Sequence, residues 1–252
     1  MGETVYWCLH QVPQPAIARA CLSPAERTTY DRFRFDARRK SWLAGRYTAK
    51  LLLSHVLNVC LPTPAPIKHD QIEIRNNDLG APSAVHHDQI IPGCLSISHS
   101  GDWCAAAFAP SSLKVGIDIE KITPRPAGFI QDYFTKNEIA KVSAINGRSL
   151  AEIRQAEKAT LIWSAKEALL KAMGIGLRLD TRHVAVDSIE DVENADALGW
   201  KRLGLSSIHL SSRIDAYWRK INYYLLTLAV LTDLDERISL VEVSSALGRF
   251  TH

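Results

Sequence analysis

The stretch Val115-Gly-Ile-Asp-Ile-Glu120 constrains this chain more than any other, because a strand pattern there carries two carboxylates opposite its apolar face. Val115, Ile117 and Ile119 point one way, so Gly116, Asp118 and Glu120 share the other face, with the two acids about 7 Å apart along the strand. Like charges so placed repel unless a cation sits between them. Trp163-Ser-Ala-Lys-Glu-Ala-Leu-Leu-Lys171 offers a third acid, since Trp163, Glu167 and Lys171 recur every four residues and share one helical face. Three carboxylates converging on one point are the donor set of a hard divalent cation, Mg2+ by preference, with waters and phosphate oxygens completing its shell. That chemistry points to metal-assisted phosphoryl-group transfer. Taken alone, Asp118 and Glu120 read equally well as the solvated face of an edge strand. Lys171 alone reads as a surface partner of Glu167 at i,i+4, worth about 0.2–0.5 kcal/mol.

The 252 residues, 46% of them hydrophobic, suffice for one large domain or two small ones. The first ten residues lack the charged and apolar blocks of a signal peptide, and no run of about 18 apolar residues occurs. The expectation is a soluble cytoplasmic protein that does not engage a membrane. Cys8, Cys21, Cys60, Cys94 and Cys104 are odd in number and scattered, which predicts reduced structural thiols rather than a zinc site or disulfide framework. Net charge is +3, but residues 1–50 carry nine Lys/Arg against four Asp/Glu, which leaves +5 there and −2 over the remainder. The excess lies in Arg32, Arg34, Arg38, Arg39, Lys40, Arg46 and Lys50, a cluster suited to a polyanion. A nucleic-acid binder would show a higher pI and interleaved aromatics, so a small phosphorylated ligand fits better.

Coarse elements follow from patterning. Val5 to Cys8 reads as a strand, and Ser23-Pro-Ala-Glu26 as a helix start with a capping box, the helix ending near Phe35. Apolar residues from Ala37 to Val59 follow helical spacing until the Pro62/Pro64/Pro66 run. On that helix Arg39 and Arg46 share a face with Trp42, while Arg38 lies about 100° around from Arg39 and is expected in solvent. Ile72 to Ile74 is a short strand, Asn77 to Pro92 a loop, and Leu95–Ile97, Trp103–Phe108 and Val115–Ile119 a three-strand meander. Thr135-Lys-Asn-Glu138 and Ser149-Leu-Ala-Glu152 are capping boxes, the second opening the helix that runs to Gly174. Strands at Ser207–Leu210 and Tyr223–Leu231 close the chain, the latter apolar throughout and so buried on both faces. Shifting the chain by 121 residues places Trp42, Ala44 and Lys50 on Trp163, Ala165 and Lys171, and Arg46 on Glu167, a weak internal repeat. The 13 glycines form no Walker A or Gly-x-Gly-x-x-Gly pattern, which weighs against a kinase or nucleotide hydrolase.

The chain resembles the two-lobed, Sfp-type 4′-phosphopantetheinyl transferases of the holo-acyl-carrier-protein synthase superfamily. The residues that carry the resemblance are Arg38-Arg-Lys-Ser-Trp-Leu-Ala-Gly45-Arg46, Leu95-Ser-Ile-Ser-His99-Ser-Gly-Asp-Trp103, Val115–Glu120, Phe134-Thr-Lys-Asn-Glu138 and Trp163–Lys171, in that order. It departs from the family where Gly80-Ala-Pro82 replaces a frequent Gly-Lys-Pro, and where Glu26 and Thr29 stand in place of the lysines of some members. The resemblance implies an α+β fold, a pseudo-twofold duplication of two similar subdomains over residues 1–112 and 113–252, with the active site in the cleft between them. It implies a monomer that moves the phosphopantetheine arm of coenzyme A onto a serine of an apo acyl or peptidyl carrier protein, releasing 3′,5′-ADP. Mg2+, or Mn2+ in its place, would sit on Asp118, Glu120 and Glu167; Glu167, Lys171 and Glu138 would be catalytic. Arg39, Arg46, Ser98, His99 and Lys171 would bind coenzyme A. Glu138 has a competing reading as a helix cap, and Trp163 is expected beneath the site rather than against substrate. A non-catalytic binder of coenzyme A or of a carrier, or another Mg-dependent nucleotide phosphotransferase, are the alternatives.

Overall fold

The computed structural model describes residues 3–60, 66–144, 151–190 and 195–243. The chain divides into two units, residues 1–111 with 236–252, and residues 112–235, each mixing helix and strand.

The first unit opens with β1 (Thr4–Gln11), followed by α1 (Pro15–Ala20), α2 (Pro24–Asp31) and α3 (Asp36–Cys60). Then come β2 (Ile72–Asn76), β3 (Pro82–His86), β4 (Gln89–Ile90), β5 (Cys94–Ser100) and β6 (Trp103–Ala109). The capping box at Ser23 forms as its spacing predicts: Ser23 Oγ accepts from Glu26 N–H, and Ser23 N–H donates to the Glu26 carboxylate at 2.9 Å. α3 lays Leu52, Leu53, Val56 and Leu57 over Cys8, Leu95, Ala106 and Phe108 of the sheet, and this stripe is the unit's core. Under it Lys50 is wholly buried, donating to the Glu26 carboxylate and, at 2.8 Å, to the Cys21 carbonyl. Glu26 Oε1 also accepts from Ile74 N–H at 3.0 Å, so one ion pair ties α2, α3 and β2 together.

The second unit also mixes helix and strand. It comprises β7 (Lys114–Lys121), α4 (Ala127–Tyr133), α5 (Lys136–Ser143), α6 (Ala151–Ala172), β8 (Val184–Ile189), β9 (Lys201–Ser207), β10 (Arg213–Ile221) and β11 (Tyr224–Thr232). Its antiparallel sheet has the order β7-β11-β10-β9-β8, and β11 is buried along its whole length, as its unbroken apolar run predicts. α6 lies almost on the backbone of β7, because a Cβ added to Gly116 would stand 1.9 Å from the Ala168 carbonyl oxygen. From Ala159 to Ala172 every α6 residue is buried except Glu167 and Lys171, so those two mark where the helix meets solvent. The chain then returns to the first unit, where β12 (Ser239–Glu242) pairs in parallel with β1.

Several expectations are corrected. The three-strand meander does not form: β6 is flanked by β5 and β1, and β7 instead runs antiparallel to β11 with Asp118 opposite Thr227. Residues 77–92 are not a plain loop, for β3 and β4 form a hairpin through His87 and Asp88, both at positive φ. A His-Asp turn lacks the Asn-Gly or Asp-Gly signal that betrays such hairpins. α2 stops at Asp31 rather than near Phe35. β9 ends where the Ser207–Leu210 strand was expected to begin, β8 and β10 pair with it, and residues 236–243 join the first unit rather than the second. Lys166, which the 121-residue offset does not match to Lys50, is the lysine buried against a capping-box glutamate in the second unit. Pro62, Pro64 and Ser149 lie outside the described residues.

Candidate active site

The pleat of β7 and the single-residue approach of α6 over Gly116 bring Asp118, Glu120, Glu167 and Lys171 to one place in the second unit. Asp118 is 2% exposed. Its Oδ1 accepts from Lys171 Nζ at 2.7 Å and its Oδ2 from Ser164 Oγ at 2.7 Å. Lys171 also donates to the Ile117 carbonyl at 3.3 Å and stands 3.8 Å from Glu167 Oε2. Glu120 pairs with Arg125 at 3.2 Å. Glu120, Glu167 and Lys171 each keep between a fifth and a third of the side chain in solvent, so the cluster opens outward from a buried Asp118.

The charges are out of balance. Burial, then the Asp118 and Glu120 carboxylates, push the Glu167 carboxyl up to about 7 against the pull of Lys171. Burial and Asp118 raise Glu120 as well, despite Arg125. Burial works to lower Lys171, but Asp118 and Glu167 carry it above its ordinary value. Among the described residues no three acids, imidazoles or thiols stand close enough to hold a metal ion as they are, and the Lys171 ammonium lies 2.7 Å from Asp118. The donor chemistry nevertheless fits a hard divalent cation, being all oxygen, with three carboxylates set against the Lys171 ammonium and the Arg125 guanidinium.

A pH dependence of stability follows. Glu167 is raised in the folded protein above its unfolded value, so its contribution is complete below the unfolded value and is lost as pH rises through about 7. With chelator present, the melting temperature should therefore fall between pH 5 and pH 7.5, and Glu167→Gln should flatten that slope. A slope unchanged in the variant would contradict the assignment.

The other expected residues divide. Glu138 is not at the site: it is 0% exposed, caps α5 through Thr135, accepts from Val186 N–H at 2.8 Å and pairs with Lys166 at 2.8 Å. Lys166, equally buried, also donates to the Thr181 and Val184 carbonyls, so the pair ties α5, α6 and β8 as Glu26 and Lys50 tie their own elements. The capping-box reading of Glu138 is the correct one, and the catalytic one is corrected. Trp163 stacks edge-on against Phe129 and Tyr133 with 6% of its surface exposed, so it packs in the core.

In the first unit a cavity of about 280 Å³ runs beside β5 and is lined by Arg38, Trp42, Arg46, Gly80, Ser98 and His99, among others. Arg46 lies over the Trp42 ring at 4.4 Å and donates to Asn76 Oδ1 at 2.9 Å. Arg39 does not line it. Arg39 turns instead to the Phe33 carbonyl and the face of Tyr30, because the bend between α2 and α3 brings both to its side, and Arg38 takes its place. Residues that spacing alone did not single out are Arg38, Arg125, Ser164 and Thr227. Only the β7–β11 pairing, which the sequence does not announce, places Thr227 beside Asp118.

Residues 114–217 match a family described as the 4′-phosphopantetheinyl transferase superfamily. A phosphopantetheinyl transferase from Thraustochytrium sp. is 30% identical over 68% of this chain and 58% of its own length. The L-aminoadipate-semialdehyde dehydrogenase-phosphopantetheinyl transferase of Rattus norvegicus is 29% identical over 73% and 60%, and the 4′-phosphopantetheinyl transferase ffp of Bacillus subtilis 30% identical over 61% and 62%. The match thus spans less than two thirds of the length of these relatives. Among solved structures, a holo-(acyl-carrier-protein) synthase from Bacillus anthracis in complex with CoA (3′,5′-ADP) is 20% identical over 47% of this chain and 94% of its own, with a TM-score of 0.36.

Proposed function

We propose, from the match of residues 114–217 to the 4′-phosphopantetheinyl transferase superfamily, that this chain is a member of it and transfers the phosphopantetheine arm of coenzyme A to a serine of an apo acyl or peptidyl carrier protein. The observation that carries this reading is the gathering of Asp118, Glu120 and Glu167 around Lys171, with Glu167 raised to about 7 by burial and by its neighbours' charge. Bound to the three acids, Mg2+ would offset the charge of the pyrophosphate and of the departing phosphate.

This chain's side chains account for the remaining steps. The serine hydroxyl bonds to the β-phosphorus as the bond to the nucleotide phosphate breaks, and 3′,5′-ADP leaves. Glu167 takes the serine proton and passes it to solvent. Lys171, held charged by Asp118 and Glu167, donates to the departing oxygen, where its charge counts for more in the transition state than before it. The buried Glu26–Lys50 and Glu138–Lys166 pairs, each joining a capped helix, a long helix and a strand, support reading the two units as copies of one plan. Incubation with coenzyme A, Mg2+ and an apo carrier should add the arm to the carrier's serine, read by mass spectrometry. Coenzyme A binding with no transfer under any divalent cation would make the protein a binder instead.

The cavity of Arg38, Arg46 and His99 suits a phosphate, and recognition of the 3′-phosphate of coenzyme A is assigned to it. Arg38→Ala or Arg46→Ala should lower kcat/KM for coenzyme A by about 1.5–3 kcal/mol. Dephospho-coenzyme A should hardly respond, at fixed ionic strength. An equal loss for both cofactors would reduce the cavity to diffuse attraction.

A further inference from the structure

Two buried hydroxyls stand in line behind Asp118. Ser164 Oγ lies 2.7 Å from Asp118 Oδ2 and 2.8 Å from Thr227 Oγ1, and both hydroxyl residues are 0% exposed. The direction of this chain follows from donor arithmetic. An ionised carboxylate only accepts, so Ser164 spends its single proton on Asp118, and Thr227 must donate to Ser164. Thr227 reaches this position because it is the cross-strand partner of Asp118, and Ser164 because it precedes Glu167 by three residues on α6. We propose that Thr227 and Ser164 form a one-way hydroxyl relay that commits Asp118 Oδ2 and leaves Oδ1 alone to meet the divalent cation. Ser164 and Thr227 are then positioning residues, and Lys171 must give up Oδ1 before a cation takes it. Partners of this kind commonly change metal affinity by about 10- to 100-fold.

The inference rests on the cation reading of the acids, and the test separates the two. Mn2+ alone is titrated by electron paramagnetic resonance into wild type, Asp118→Asn, Ser164→Ala, Thr227→Val, Thr227→Ser and the double variant Ser164→Ala/Thr227→Val, each checked by thermal melt. Ser164→Ala and Thr227→Val should each weaken Mn2+ by about 10-fold or more, while Thr227→Ser restores binding. Because Thr227 acts only through Ser164, the double variant should bind within about twofold of Ser164→Ala. In turnover, the Mg2+ needed for half-activation should rise more than kcat falls. Wild-type Mn2+ affinity in Ser164→Ala, or multiplying losses in the double variant, would overturn the relay while the cation site stands. No Mn2+ binding by the wild type would overturn the cation site and the relay with it.

Discussion

Asp118→Asn should lower kcat/KM for coenzyme A by about 100-fold or more at saturating Mg2+, the loss that follows removal of one well-placed electrostatic contact. The amide matches the carboxylate in volume, so the backbone register with Thr227 and the approach of α6 at Gly116 should persist. What changes is charge. Lys171 Nζ, 2.7 Å from Oδ1, loses the partner that most strongly raises its proton affinity. Burial still raises Glu167, but it loses the Asp118 charge that adds most to that rise, so its carboxyl should move down toward its ordinary range. Steady-state kinetics, with circular dichroism to confirm the fold, check the first effect, and the pH profile of kcat/KM checks the second. Activity near wild type at limiting Mg2+ would remove Asp118 from the cation's donors.

Breaking the buried Glu138–Lys166 pair should cost about 3–5 kcal/mol of stability, because truncating one partner strands the other charge without water. Glu138→Ala leaves Lys166 Nζ with backbone carbonyls alone, unties β8 at Val186 and removes half of the α5 capping box. Chemical denaturation of Glu138→Ala should show the loss, and Glu138→Leu/Lys166→Met should recover part of it, since two apolar side chains of similar volume leave no orphaned charge. At a temperature where Glu138→Ala remains folded, its kcat should stay close to wild type. A variant that melts like wild type but fails to turn over would restore Glu138 to the catalytic machinery.

Much of this was legible in the chain itself. The period-two pattern at Val115–Glu120 placed Asp118 and Glu120 on one face of a strand, and the period-four recurrence of Trp163, Glu167 and Lys171 placed those three on one face of a helix; folding sets Lys171 against Asp118 and Glu167, while Trp163 packs into the core. Capping boxes at Ser23 and Thr135 were legible because three-residue spacing is local chemistry. What escaped was non-local. Whether Glu138 is a catalyst or a cap depends on Lys166, which only folding sets against it at 2.8 Å. The helical wheel put Arg39 inward and Arg38 in solvent, and Arg38 is indeed exposed even as it lines the cavity; Arg39, half-buried, is drawn away from that cavity because the bend after α2 offers it the Phe33 carbonyl. β7 follows β6 closely in sequence and still pairs with β11, since a strand's partner is chosen by long apolar registers such as Ile117 with Leu228 and Ile119 with Leu226. The hydroxyls on Asp118 were hidden for the same reason.

The central claim is that the three acids hold a divalent cation on which transfer depends, and the most direct measurement is holo-carrier formation by the wild type as free Mg2+ is varied under chelator control. The account predicts no product without a divalent cation, a saturable rise with Mg2+, and one 3′,5′-ADP released for each serine modified. Transfer that continues undiminished in excess chelator would contradict it.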